Sequence, residues 1–246
     1  MRGRRTVVVG EYDFAASRNK KNATITDEQL ADIFAGVGAR HGYADVKAHF
    51  EELGDFKVRW QRTYRWIDFS ISDYLDRAPP RALENLAESL FDRLEGKETD
   101  CGEEFLTYLA DRKVVRANQR DYIQRKGLAT KTIGTYHDLN DCVARLRSQG
   151  LIKAATFKLV WNDSFRMGGK ASACSVLNKV IEVNTLLDEK GVPEYVLDYA
   201  VYVMACYIEI GFQAGRMDEM KHQKMVRKYP MCDEAVAWLQ SNGFFI

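Results

Sequence analysis

Apolar residues recur along this chain at two periods, and the switches between them mark the expected elements. Thr26 or Asp27 can cap a helix, with Glu28 in its first turn. Leu30, Ile33, Phe34 and Val37 then fall on one helical face. Gly36, Gly38 and Gly42 are expected to weaken or break that helix. A second helix is expected over residues 45–53. The period then drops to two. Residues 56–60 and 64–71 alternate apolar with polar and are rich in aromatic and β-branched side chains, which predicts two strands with one wet face, paired as a hairpin. Pro79-Pro80 stops this region. Leu83, Leu86, Leu90 and Leu94 mark an amphipathic helix ending near Gly96.

The second half begins with residues 103–126, which read as helical and increasingly basic. Another helix is expected over 138–149, ended by Gly150. Residues 157–161 and 176–183 look like strands on either side of the loop Met167-Gly168-Gly169. Pro193 suits a helix first turn, and a strongly apolar helix should run from it to about Gly211. Two shorter helices are expected around 217–228 and 232–241. Residues 1–24 are polar and basic apart from Val7-Val8-Val9 and read as a flexible or loosely docked arm. No internal repeat is legible. The expected organisation is an arm over 1–24, a helical and hairpin region over 25–130 and a further core over 131–246, the last two also readable as one continuous domain over 25–246. The soft boundary lies at 127–135, where Gly127 and Gly134 flank a polar stretch. The fold class is α+β, mostly helical with a small sheet.

Composition narrows the functional classes. The 246 residues are 46% hydrophobic and 29% charged, with a net charge of +1. No global field draws the chain to nucleic acid or membrane, so any such attraction must come from local patches. No apolar run reaches the roughly 18 residues of a membrane span. The basic start Met1-Arg2-Gly3-Arg4-Arg5 is followed by too short an apolar stretch for a signal peptide. A cytoplasmic protein without membrane association is expected.

Candidate chemistry is sparse. Cys101, Cys142, Cys174, Cys206 and Cys232 are scattered, odd in number and without a CxxC pair, so they read as buried thiols. His41, His49, His137 and His222 show no metal-ligand spacing on one helix face and read as surface or satisfied histidines. Gly168-Gly169 lacks a phosphate-loop frame. Two basic aromatic clusters remain. One holds Lys57, Arg59, Arg62 and Arg65 with Trp60, Tyr64 and Trp66. The other holds Arg112, Lys113, Arg116, Arg120, Arg125 and Lys126 with Tyr122. Such residues suit phosphate contact and base stacking. They equally suit a wet strand face and a wet helix face, with Asp68, Asp111 and Asp121 diluting the charge.

Residues 168–239 carry a more specific order. A loop and strand with Gly168, Gly169, Ser172, Cys174 and Ser175 precede a helix containing Tyr195, Val196, Leu197, Asp198, Tyr199, Ala200, Val201, Tyr202, Val203 and Met204. A basic stretch, Lys224 to Lys228, follows before Tyr229-Pro230, and then Trp238-Leu239. This order resembles the SprT/YgjP-like group of small gluzincin zinc metallopeptidases, particularly its uncharacterised archaeal-type members. In that group a similar strand precedes a helix with the pattern V-x-D-Y-V-x-x-H-E-L-x-H, and a third metal ligand lies downstream. The likeness covers about a third of the chain, with a weaker echo in 56–95.

The resemblance implies a minimal zincin-like core in the C-terminal part and a degenerate active site. HExxH works because residues four apart share a helix face, where two histidines hold zinc and the glutamate activates its water. Val203, Met204 and Tyr207 stand at those three positions, and none supplies the missing chemistry. The third-ligand region falls on Met217 and Asp218, with His222 close by. Glu209 faces away. The resulting expectation is a catalytically inactive metallopeptidase-fold protein without a cofactor, acting as a binding or scaffold protein for an unknown protein partner. Two alternatives stand beside it. One is a nucleic-acid or nucleoprotein binder using Arg59, Arg62, Arg65, Arg112, Arg116 and Arg120. The other is a metallopeptidase with a relocated site.

Overall fold

The computed structural model describes residues 8–10, 25–97, 99–153, 157–212 and 218–246. The chain divides into two compact units, Met1–Asn118 and Gln119–Ile246. That division precedes the glycine-flanked stretch at 127–135. It falls inside a helix, where no turn residue signals it.

The N-terminal unit holds β1 (Val8–Gly10), α1 (Asp27–Arg40), β2 (Asp45–Glu51), β3 (Val58–Arg62), β4 (Trp66–Ser72), α2 (Pro80–Leu94), α3 (Glu103–Ala110) and the first part of α4 (Arg112–Arg125). Its sheet has the order β1-β3-β4-β2, with β3 antiparallel and β2 parallel to β4. Thr26 opens α1 through a reciprocal cap. Its hydroxyl accepts from the Gln29 N–H at 3.2 Å, and the Gln29 side chain accepts from the Thr26 N–H at 3.0 Å. Gly36 and Gly38 do not break this helix. Gly38 instead permits close packing, since a Cβ there would lie 2.9 Å from the Phe91 ring. Ile67, Phe69 and Ile71 face the helices with no exposure, and Phe69 packs between Phe34 and Phe91.

Several expectations need correction in this unit. Residues 45–51 form a strand, not a helix. Paired in register with β4, Val46, Ala48 and Phe50 join its apolar face, and Lys47, His49 and Glu51 join its polar face. Here a neighbouring strand decides what a mixed local pattern leaves ambiguous. Val8–Gly10 are strand as well, paired with β3. The remainder of the expected arm lies outside the described residues. Residues 103–126 form two helices, because Asp111 takes extended backbone at the junction and its carboxylate caps the second, accepting from the Lys113 and Val114 N–H groups.

The C-terminal unit continues with α5 (Leu139–Ser148), β5 (Lys158–Asn162), β6 (Ser172–Ser175), β7 (Val180–Asn184), α6 (Glu194–Ile210), α7 (Glu219–Val226) and α8 (Cys232–Ser241). Its sheet has the order β5-β7-β6, with β5 parallel and β6 antiparallel to β7. Of the strand expected over 176–183, only 180–183 are strand; residues 176–179 form the turn that joins β6 to β7. Ser175 Oγ accepts from the Asn178 N–H, and Lys179 adopts a φ of 51°. Ile181 and Val183 share the main apolar cluster with α5 and α6. There are thus two small sheets rather than one.

The two units repeat one topology, which the sequence did not reveal. In each, a helix leads into three strands, the third of which is central, with the first parallel and the second antiparallel to it. A 3-10 turn follows the central strand in both, Asp73–Leu75 and Thr185–Leu187, each succeeded by an aspartate. A helix then begins behind a proline, Pro79 or Pro193. Among the described residues, no helix is long and apolar enough to cross a membrane.

Candidate functional site

Val203, Met204 and Tyr207, the positions at which the expected resemblance looks for a metal site, lie on α6, so the candidate site begins with what fixes that helix. Pro193 precedes its first turn. Gly211, at φ 81°, ends it and donates to the Tyr207 carbonyl. Residues 196–206 are all buried, so α6 is enclosed around its whole circumference over this stretch, with Asp198 its one charged residue there. Polar groups fasten it on several sides. Arg145 of α5 donates twice to the buried Asp198 carboxylate, at 2.8 and 2.7 Å. Ser172 donates to the Ala200 carbonyl, Tyr202 to that of Met225, and Tyr229 to that of Tyr195.

This fastening brings the expected positions together. Val203 and Met204 are 5% and 6% exposed, and Tyr207 is half-buried. His222 of α7 returns onto them. Its ring stacks on Tyr207 with centroids 3.6 Å apart and planes 16° from parallel. Its Nε2 lies 3.2 Å from the Val203 carbonyl oxygen. A carbonyl only accepts, so Nε2 carries the proton and offers no lone pair to a metal. Asp218 is exposed and caps α7, accepting from the Lys221 N–H at 2.9 Å. Met217 lies outside the described residues, and Glu209 is exposed.

A single imidazole whose Nε2–H is committed to the backbone, beside valine and methionine, does not fit the zinc that the family likeness implies. No reaction step through such an ion follows from these residues. Nor is there an activated nucleophile on α6. Burial pushes the Cys206 thiol up to about 11 and holds the Tyr207 phenol above its ordinary range.

The same positions of the N-terminal unit show a related arrangement. Counted from the prolines that open the two helices, Ser89 and Arg93 of α2 stand where Val203 and Tyr207 stand in α6. Cys101, past the end of α2, returns onto them as His222 does. Its sulfur lies 3.4 Å from Ser89 Oγ and 3.6 Å from Arg93 Nη2.

The first basic cluster does not form one surface. Strand alternation turns Arg59 and Arg62 to opposite faces of β3. Arg59 sits 3.6 Å from Glu51, while Arg62 donates to Tyr43 Oη and the Leu94 carbonyl. Arg65 is exposed in the turn, with its guanidinium over the Tyr64 ring. The second cluster keeps a line. Arg112, Arg116 and Arg120 are all exposed at successive turns of α4. Lys126 is excluded from it, being paired at 2.7 Å with buried Glu182 of β7.

That Glu182 pair was missed by sequence reasoning. The carboxylate, 1% exposed, also accepts from Tyr122 and Asn162. A charged residue in the apolar run Val180-Ile181-Glu182-Val183 was the available signal. All four histidines have partners. His49 meets Ser70 and Asp68, His137 meets the Glu189 carbonyl, and His41 meets Glu88 and Glu95. No family model, no curated protein and no solved structure matches this chain.

Proposed function

We propose that this protein is a metallopeptidase-like pseudoenzyme whose C-terminal unit works by binding a partner rather than by hydrolysis. The observation that carries the reading is the closure of the HExxH-like positions by the Tyr207–His222 stack, with His222 committed to the Val203 carbonyl. The order of elements supports it. A Ser- and Cys-bearing strand, Ser172–Ser175, precedes α6, and α7 leads to Tyr229-Pro230 as the family order requires. The zincin-like core is part of this proposal.

Two measurements test it. Purified protein incubated with unfolded protein substrate and added zinc should release no peptides. Zinc-dependent hydrolysis abolished by His222→Ala would overturn the reading. The triple replacement Val203→His, Met204→Glu and Tyr207→His should create a chelator-sensitive ion site beside His222, if the family geometry is correct. A folded triple variant that gains no ion would remove the metallopeptidase ancestry.

A second reading rests on the exposed line of Arg112, Arg116 and Arg120. Those three cations on one helix face suit a phosphate backbone. Binding to nucleic acid would then be the surviving activity.

A further inference from the structure

His41, which follows the last turn of α1, sits in an ion cluster that the reading above does not use. Its side chain is 10% exposed, and its ring lies on Phe91 with centroids 5.3 Å apart. Residues 88, 92 and 95, at the end of α2 and just past it, share one helix face by their spacing of four and three. Glu95 Oε1 lies 2.7 Å from His41 Nδ1, and Glu88 Oε2 lies 2.9 Å from Nε2. The Lys97 ammonium bridges Asp92 Oδ1 at 3.0 Å and Glu95 Oε2 at 2.7 Å. Arg40 pairs with Glu84 and Glu88.

We infer that His41, Asp92 and Glu95 form a binding site for a divalent cation of the zinc class. Each offers one ligand atom, and the three atoms lie within 4.8 Å of one another. Small side-chain adjustments would bring them to the roughly 2.0–2.2 Å from a common ion that nitrogen and carboxylate ligands adopt. A mixed set of imidazole and carboxylates suits zinc and its neighbours better than calcium or magnesium. Glu88 stands outside this trio and accepts from Nε2. That is the position of a carboxylate that orients a metal-bound histidine and leaves Nδ1 to the ion. A cation already occupies the space between the two carboxylates, the tethered Lys97 ammonium. Its side chain is 57% exposed, so it can leave into water when an ion arrives.

The charge balance defines the step. With both ring nitrogens against carboxylates, the doubly protonated form of His41 is favoured, and below its folded pKa that form must give up one proton for the ion to enter. Binding forms a bond from Nδ1 to the metal, breaks the Nδ1–H bond and releases that proton to solvent. The displaced Lys97 keeps its own charge.

The test is a titration of the full chain with zinc by calorimetry and with cobalt by visible absorption, at one pH below and one above the histidine range. One ion per chain, released protons and tighter binding at the higher pH are expected. Glu88→Gln should weaken binding by about 10–100-fold, and His41→Ala by at least about tenfold. Lys97→Met should tighten it, because the competing ammonium is gone, and a misfolded variant would not produce that gain. Absence of binding at millimolar ion would overturn the inference. So would binding that His41→Ala leaves unchanged, or that His222→Ala abolishes.

Discussion

The His222 imidazole lies flat on the Tyr207 ring at 3.6 Å, and its Nε2 proton goes to the carbonyl of Val203, four residues before that tyrosine. Val203 and Tyr207, at two of the expected ligand positions, and His222, close to the expected third-ligand region, therefore hold one another. Stacking occupies the imidazole face and the backbone occupies its donor. The arrangement contributes packing where a hydrolase would keep an open coordination position.

Val203→Asp should destabilise the C-terminal unit by roughly 3–5 kcal/mol. The new carboxylate would be buried within the apolar cluster that holds Val203. Urea unfolding followed by circular dichroism measures this. A loss under about 1 kcal/mol would mean that the position is not packed as described.

Arg145→Ala should cost a similar amount, about 3–5 kcal/mol, by leaving Asp198 buried and unpaired. Replacing both, as Arg145→Met with Asp198→Leu, should recover most of that loss, because no uncompensated charge remains. Failure of the double variant to recover would show that the two side chains are not coupled.

Stability should depend on pH through His41. Burial opposes its charged form, but hydrogen bonds to Glu88 and Glu95 outweigh that effect and hold its pKa above the ordinary value. A raised folded pKa stabilises fully below the unfolded value of about 6.5 and loses that contribution as pH rises through the folded value. Glu88 and Glu95 are shifted down. Burial works against this for Glu88, which hydrogen bonds from His41 and Arg40 overcome. Lys97 and then His41 act on Glu95. Their contribution is present above about 4.3 and lost as pH falls through their folded values. The melting-temperature gap between wild type and His41→Gln, measured with chelator present, should be widest between about pH 4.3 and 6.5 and should close at higher pH. A gap independent of pH would refute the charged pairing.

Neutralising Arg112, Arg116 and Arg120 together should leave the melting temperature unchanged, since all three side chains are exposed. If the protein works as a protein binder, its affinity for single-stranded and duplex nucleic acid is already in the non-specific range of about 10⁻⁴ to 10⁻⁶ M at physiological salt. Submicromolar affinity that falls with salt and with the triple substitution would make nucleic-acid binding the better account.

The sequence by itself determined the elements whose limits are local. Thr26 and Asp138 cap helices, Pro79 and Pro193 each stand directly before one, and Gly96, Gly150 and Gly211 end helices at positive φ. It also placed Val203 and Met204 in a buried helix, because an unbroken apolar run of that length has nowhere else to go. Tertiary structure decided the rest. Residues 45–51 became a strand only through pairing with β4, and the glycine at position 38 lies within α1 where Val46 and Phe91 leave no room for a Cβ. The meeting of Tyr207 with His222, and of His41 with Glu88 and Glu95, joins residues from different elements whose separations follow no local period. The repeated topology of the two units is set by strand order and direction. Many different side chains satisfy the same sheet pairing, so the repetition is visible in the backbone and not in the residues.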